Sequence, residues 1–374
     1  MHSTRFAIAL TGFAMLVPAI AADPKPTVIA TAAGAVAIAG DPQLTPGTSA
    51  PGTSTHVTFD RYSPIATVDE ITRRTSTPIG ADNALGSLQG RAQHVPEQGI
   101  HLADEKFWIY VPNGGPPKDG YGVFVFIPPW DEGTVPSEWR KVFDKHGLIY
   151  VAADRSGNDE HMLWRRFPLA LHAYENVAAR FHVDPTRVYV SGFSGGSRTA
   201  MRMALTYPDV FRGAVLNSGA DPFGVPGISV PPAELFHLFQ QRSRLIAVSG
   251  TEDIDINARD AAMLDSAARL CVQGTDTQPM LHTGHALMRG FMLDHAIASI
   301  ERPDTDPSRH ADVLARCRAG IDAEIARGLD DVRALMAQGK TGQAGQALLK
   351  IDERFGGLAA PASVELARKF PARK

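Results

Sequence analysis

The segment Gly192-Phe193-Ser194-Gly195-Gly196 sets a serine between two glycines, each two residues away. A serine held on a very tight strand-to-helix turn is driven toward positive φ, which costs energy for any residue with a Cβ. Strand and helix then pass so close that only a tiny residue fits two positions to either side. Such a turn projects a hydroxyl above a sheet edge, near the free N–H groups of a helix start. A glycine-rich turn in any α/β protein has similar letters, so the flanks decide. Arg187-Val188-Tyr189-Val190 reads as a strand before the turn, and Gly196 to Thr206 reads as a helix after it. Ser194 is therefore the candidate nucleophile, with Ser197 next in line.

A serine hydroxyl needs a base to remove its proton, and the base needs a carboxylate to orient it. After a strand–turn–helix nucleophile these are expected in the order acid, then histidine. The apolar run Leu245 to Val248 leads into Ser249-Gly250-Thr251-Glu252-Asp253, so a carboxylate follows a strand's C-terminal end. Asp253 is the candidate acid, with Glu252 and Asp255 as neighbours that compete. Its plain alternative is a cap for the next helix. Thr283-Gly284-His285-Ala286 supplies the candidate base, His285, with His282 as competitor. Asp253-Ile254-Asp255-Ile256-Asn257 also opens like a calcium loop, but Ala258 stands where glycine is required and Leu264 where glutamate is. No cysteine–histidine grouping suggests a metal, and no cofactor is expected.

An oxyanion formed at an attacked carbonyl needs two N–H donors. Gly195 supplies one. The other is expected from the loop after an earlier strand, Ile127-Pro128-Pro129-Trp130-Asp131. Proline has no N–H, so Trp130 is the first residue there able to donate. Trp130, Asn158 and Phe193 are candidate substrate contacts, and the Trp130 indole equally suits a cover for the sheet edge. Asn158 and Asp159 could line the cleft or cap a helix, and Arg198 is a weaker candidate.

These groups must be carried by a sheet. Phe107 to Val111, Val123 to Ile127, Leu148 to Ala153, Gly213 to Leu216 and Leu245 to Val248 all read as strands, and Gln278 to Leu281 as a last one. Helical stretches alternate with them, Leu163 to Phe181 ahead of Asp184-Pro185 and the helix that stops at Tyr207-Pro208. Apolar strands alternating with helices imply a mostly parallel sheet covered on both faces. The expected core domain is residues 105–302. Residues 58–104 read as a helical lead-in, with capping-box spacing at Thr67-Val68-Asp69-Glu70 and weak helical character over Gly80 to Gly90. Residues 303–374 read as an α-helical extension, Ala311 to Met336 and Gly342 to Phe355 forming two helices that glycines end.

The run Arg187 to Gly196 resembles the nucleophile segment of the α/β-hydrolase superfamily, in particular secreted polyhydroxyalkanoate-depolymerase-like and feruloyl-esterase-like esterases. Gly250-Thr251-Glu252-Asp253 and Gly284-His285 are similar to that family's acid and histidine segments, and the resemblance spans Lys106 to Ile300. It implies an α/β-hydrolase fold and hydrolysis of a carboxylic ester through an acyl-enzyme, without metal or organic cofactor. The chain departs from the family where His-Gly is common, having Pro128-Pro129 instead, and the helical extension is not part of the usual depolymerase pattern. A peptidase of the same fold, or a non-catalytic scaffold whose C-terminal helices contact protein, remain open.

Residues 1–21 have a positive start at Arg5, an apolar run from Phe6 to Ile20, and small residues at Ala19 and Ala21, the layout of a cleaved secretory signal. The run is shorter than the roughly 20 residues of a spanning helix, so a periplasmic or secreted protein without stable membrane insertion is expected. Residues 22–57, rich in Ala, Thr, Pro and Gly, read as a flexible linker, with Ala30 to Ile38 a possible stray strand. In an oxidising compartment Cys271 and Cys317 are expected to pair, the alternative being two buried thiols. The net charge of −3 points to no nucleic-acid partner.

Overall fold

The apolar runs become strands of one eight-stranded sheet in a computed structural model, which describes residues 51–52, 54–86 and 99–370. The strands are β1 (Ser54–Val57), β2 (Phe107–Tyr110), β3 (Tyr121–Ile127), β4 (Leu148–Ala153), β5 (Val183–Phe193), β6 (Gly213–Asn217), β7 (Arg244–Val248) and β8 (Thr275–Thr277). Their order across the sheet is β1-β2-β4-β3-β5-β6-β7-β8. The first two pairings, β1 with β2 and β2 with β4, are antiparallel, and every later one is parallel.

Alternation along the strands builds two cores. Val123, Val125 and Ile127 of β3 and Ile149 and Val151 of β4 face one core, whereas Phe124, Phe126, Leu148, Tyr150 and Ala152 face the other. Every residue of β3, β4 and β6 is buried, as a parallel sheet covered on both faces requires. The helices are α1 (Val68–Thr75), α2 (Pro78–Ala84), α3 (Arg140–His146), α4 (Phe167–Arg180), α5 (Gly195–Thr206), α6 (Ala233–Arg242), α7 (Ile254–Arg269), α8 (Gly290–Ile300), α9 (Pro307–Ala337), α10 (Thr341–Phe355) and α11 (Ala362–Ala367). Through Val142, Phe143, Leu293 and Ile297, α3 and α8 fill the aromatic-rich core; α4, α5, α7 and α9 fill the other.

The lead-in is helical and closes over the main body. Thr67 caps α1 by accepting from the Glu70 N–H. Arg74 of α1 is buried, pairs with Asp209, donates to the Thr206 carbonyl and lies 4.4 Å from the Tyr207 ring centroid. Residues 87–90, the end of the Gly80 to Gly90 stretch, lie outside the described residues, as do residues 1–21 and Ala30 to Ile38. No helix among the described residues is long and apolar enough to cross a membrane.

Two expected boundaries shift. The linker expected over residues 22–57 ends in a strand: Ser54–Val57 pairs with β2, and Val57 is 1% exposed. The final strand lies at Thr275–Thr277, not at Gln278 to Leu281. Pro279 has no N–H for a ladder; Gln278 still donates to the Ala247 carbonyl of β7 and Met280 bridges Gly250 just past it, while Leu281 is 70% exposed.

In the extension, Leu314, Ile321, Ile325, Leu329 and Val332 form one buried stripe on α9, and they join the same core as the sheet. α10 packs on α9 and contributes Ala344, Leu348 and Phe355 to that core. A disulfide between Cys271, just after α7, and Cys317 on α9 ties the extension to the body.

Candidate active site

The strands β3, β5, β6 and β7 run parallel, so their C-terminal ends gather at one edge, where an open α/β sheet offers its crevice. β5 ends at Phe193 and α5 starts at Gly195, leaving Ser194 alone in the turn with φ 54° and ψ −118°. That conformation is strained for a residue with a side chain and marks sites where the surroundings enforce it. Glycines make it fit. A Cβ on Gly192 would sit 2.3 Å from the Gly196 carbonyl carbon, and one on Gly196 would sit 1.9 Å from the Ile127 carbonyl oxygen. Ser194 occupies the position before α5, yet its hydroxyl makes no capping bond, so it is not spent on its own helix. Ser197, the alternative, is fully buried and donates to the Gly219 carbonyl.

Asp253 and His285 meet. His285 Nδ1 lies 2.6 Å from Asp253 Oδ2, joining residues 32 apart in sequence. Asp253 stands at the start of α7 but its carboxylate makes no bond to that helix, so it serves the imidazole and not a cap. The Asp253 side chain is 13% exposed and that of His285 42%. The His285 ring also lies 5.0 Å from the Phe193 ring, which places the imidazole beside the residue preceding Ser194. Among the described residues Ser194 Oγ and His285 form no direct hydrogen bond; such contacts often tighten only when substrate is bound. The competitors lie elsewhere. Glu252 and Asp255 are exposed, Glu252 bonding through its N–H to the Thr283 carbonyl. His282 is exposed and uses its backbone N–H on Thr251 Oγ1.

The Trp130 loop follows β3, and the Trp130 ring, 40% exposed, lies 5.9 Å from the Phe193 ring. Asn158 reaches the same place: its N–H donates to the Pro129 carbonyl, and its Oδ1 would be 2.0 Å from a Cβ on Gly195. Gly195 is the first residue of α5, whose opening N–H groups have no partner within the helix. Trp130, Asn158, Phe193 and Gly195 thus surround Ser194. Asp159 is exposed. Arg198 donates through its backbone to the Ser194 carbonyl and is half-buried.

Two residues that sequence reasoning passed over organise this edge. Arg166 is 3% exposed, at the end of a π-helical turn, Met162–Arg166, that leads into α4. Its Nε donates to the Ser156 carbonyl at 2.8 Å, Nη2 to the Pro128 carbonyl at 3.0 Å and Nη1 to the Gly195 carbonyl at 3.4 Å. Burial, helped by the like charge of Arg198 and opposed by Glu160, brings the pKa of this guanidinium down to about 10, so it stays charged at neutral pH. Nothing in Trp164-Arg165-Arg166 distinguishes it by sequence. Asn217 ends β6, fully buried, and its carbonyl accepts from the Ser194 N–H at 2.9 Å. A polar residue closing an apolar strand at the crevice edge was the available signal. Beneath the acid segment, Ser249 Oγ donates to Asp260 Oδ2, and burial, with some help from Asp253, raises the Asp260 pKa to about 6.

Parallel strands, a strained serine between the last of β5 and the first of α5, and an acid and histidine after β7 and β8 fix the architecture. The chain has the α/β-hydrolase fold. Its sheet is extended at one side by the antiparallel β1 and β2, and its body by the C-terminal helices.

No family model matches this chain. It is 49% identical over 45 residues to "Poly(3-hydroxyalkanoate) depolymerase C" of Paucimonas lemoignei, covering 12% of this chain and 11% of that protein. It is 26% identical over 160 residues to "Probable acetylxylan esterase A" of Aspergillus fumigatus, covering 38% of this chain and 42% of that one. The chain thus spans less than half the length of the curated relatives it matches. Among solved structures, an esterase of Thermogutta terrifontis is 18% identical with a TM-score of 0.37, over 53% of this chain and 87% of that one. An S-formylglutathione hydrolase of Staphylococcus aureus is 15% identical with a TM-score of 0.41, over 58% and 94%.

Proposed function

We propose that this chain is a serine hydrolase of carboxylic esters that works through an acyl-enzyme. The observation that carries the reading is the 2.6 Å contact of His285 Nδ1 with Asp253 Oδ2, beside a serine strained to φ 54° whose hydroxyl caps nothing. With Nδ1–H donated to the carboxylate, Nε2 keeps its lone pair and is the atom that takes the Ser194 proton. Ser194 Oγ then adds to the ester carbonyl, and the N–H groups of Gly195 and Trp130 stabilise the oxyanion. His285 passes its proton to the departing alcohol. Water, deprotonated by His285, attacks the acyl carbonyl; the acid leaves, Ser194 regains its proton, and Asp253 holds the imidazolium at each stage.

Matched relatives named as a polyhydroxyalkanoate depolymerase and an acetylxylan esterase support an ester as substrate. The Trp130 and Phe193 rings, 5.9 Å apart, supply an apolar wall for acyl or alcohol. Residues 1–21 would act as an export signal, and the disulfide between Cys271 and Cys317 suits the oxidising compartment this implies.

The experiment is hydrolysis of p-nitrophenyl esters of graded chain length by purified protein, with a matched p-nitroanilide in parallel. Ester turnover should exceed anilide turnover, and Ser194→Ala and His285→Ala should each lose at least about 10³-fold in kcat. Wild-type turnover in both variants would overturn the reading, and a faster anilide would turn it toward peptide bonds.

A further inference from the structure

Resting on that reading of the site, we propose that Asn217 is a positioning residue that holds the His285 loop against the Ser194 turn. Apart from the Phe193 ring 5.0 Å away, the His285 ring has no aromatic neighbour among the described residues. Its side chain is 42% exposed, its polar contact is to Asp253, and a Cβ on the preceding Gly284 would meet nothing within 4 Å. Its place is therefore set by the anchors of its loop. Upstream, the Thr283 carbonyl accepts from the Glu252 N–H at 2.9 Å. Downstream, the Trp139 indole N–H donates to the Met288 carbonyl at 3.0 Å, and the anchor nearest to Ser194 is the buried amide of Asn217.

Asn217 Oδ1 accepts from the Met288 N–H at 2.7 Å. Its Nδ2 lies 3.2 Å from the Ala286 carbonyl, 3.0 Å from the Val248 carbonyl and 3.2 Å from Ser218 Oγ, three acceptors for two hydrogens. Because Met288 N–H can only donate, the atom facing it must be the amide oxygen, which fixes the orientation of the side chain. Ser218, itself at φ 52° and fully buried, donates from Oγ to the Ala286 carbonyl at 3.3 Å. The backbone carbonyl of Asn217 accepts from the Ser194 N–H. One residue thus bonds the nucleophile through its main chain and both sides of residue 287 through its side chain. Only a group that donates and accepts at once satisfies a carbonyl and an N–H together. A leucine of similar size can do neither, and an ionised carboxylate would face the Ala286 and Val248 carbonyls with lone pairs only.

The chemistry of the amide suggests a test whose readout a merely structural role would not move. In Asn217→Asp the carboxylate lacks the donor, but the neutral carboxyl has both donor and acceptor, and burial favours the neutral form. The ionisable groups on the segments packed around it are His285, Asp253 and Arg289, Arg198 on α5, Glu138 across from Gly290, and the buried Asp260 bonded to Ser249. All are present in both proteins, so the ratio of variant to wild-type kcat isolates the introduced group.

Steady-state kinetics on a p-nitrophenyl ester would be measured from pH 5.5 to 9, with melting temperatures, for Asn217→Ala, Asn217→Asp and Ser218→Ala. Asn176→Ala serves as control, because that asparagine is equally buried but binds the Arg61 and His172 carbonyls, away from the site. Displacing the imidazole by about 1 Å is expected to lower kcat about 10²-fold in Asn217→Ala, with KM within about threefold. Asn217→Asp should show a comparable deficit at pH 9 that narrows at least about tenfold by pH 5.5. Ser218→Ala should lose about threefold in kcat, and Asn176→Ala should melt earlier with kcat unchanged. Should Asn217→Ala not fold, the pH-dependent ratio and Ser218→Ala decide. A deficit in Asn217→Asp that is equal at every pH, or wild-type kcat in the Asn217 and Ser218 variants, would overturn the proposal while Ser194→Ala stays inactive. Activity in Ser194→Ala would instead remove the reading on which it rests.

Discussion

Replacing Arg166 with methionine tests whether the crevice is held by one buried cation. The guanidinium makes bonds of 2.8 and 3.0 Å to the Ser156 and Pro128 carbonyls and a longer one to Gly195. Hydrogen bonds from a charged group contribute about 1.5–3 kcal/mol each. Two good ones and a weak one give roughly 5 kcal/mol. Against this stands the cost of keeping the charge out of water. A pKa brought down to about 10 from 12.5 corresponds to roughly 3 kcal/mol. Methionine removes the bonds and the charge together, and it leaves buried carbonyls unpaired. The net loss is expected at about 2–3 kcal/mol, since the stem volume is kept. Urea denaturation would measure it. The functional effect should exceed what stability explains, because the three carbonyls belong to the Trp130 loop, the Asn158 loop and the first residue of α5. Their drift would misplace the Trp130 and Gly195 N–H groups proposed as oxyanion donors, and kcat at 25 °C, where the variant remains folded, should fall about 10²-fold. Arg166→Lys, which lacks the planar fork, should fall in between. A folded Arg166→Met enzyme with wild-type kcat would refute the reasoning, whatever its stability.

Gly192→Ala sets a Cβ 2.3 Å from the Gly196 carbonyl carbon, backbone against backbone, so it should abolish soluble expression or lower the melting temperature by more than 10 °C in calorimetry. Reducing the Cys271–Cys317 bond, which closes a separation of 46 residues, is expected to lower stability by up to about 4 kcal/mol. Ester turnover at 25 °C should survive, because the bond ties the extension and not the crevice; denaturation with and without dithiothreitol checks both. His172 is buried, its Nδ1 accepts from the Ser63 N–H, and burial lowers its pKa to about 4. Its folded pKa lies below the unfolded value near 6.5, so the unfolded chain binds more protons between them. Stability should therefore fall as pH drops from about 6.5 to 4, and His172→Leu should flatten that part of the melting-temperature profile. If the two profiles run parallel, His172 is not the group responsible.

The central strands and the Ser194 turn were legible because burial on both faces demands continuous apolar runs, and because a close strand–helix crossing demands glycine at 192 and 196. Asp253 and His285, which the structure brings to 2.6 Å of each other, stood out in the sequence from their place after apolar runs. Edge strands did not. β8 is Thr275-Asp276-Thr277, polar because only one neighbour covers it, while Gln278 to Leu281 looks like a strand and instead breaks the ladder at Pro279, with Met280 buried against Gly250 and Leu281 exposed. β1 hides in a Ser- and Thr-rich stretch for the same reason, and only its pairing with β2 reveals it. The groups that brace the site were hidden differently. The role of Arg166 arises from three carbonyls contributed by segments 10, 29 and 38 residues away, and no local pattern encodes that meeting. Asn217 looks like the polar end of a strand, and its reach across 69 and 71 residues to Ala286 and Met288 exists only in the fold. The extension was legible as helices, but the burial of the α9 stripe in the main core was not, since a helix's periodicity does not name the surface it meets.

The most direct measurement is peptide mapping of the protein after treatment with a fluorophosphonate, which an activated serine attacks at phosphorus, displacing fluoride and becoming phosphonylated. The adduct is expected on the peptide carrying Ser194, at one per chain, and it should be absent from Ser194→Ala and greatly slowed in His285→Ala. An adduct on Ser197 or another residue, or folded protein that takes up no reagent, would contradict the account.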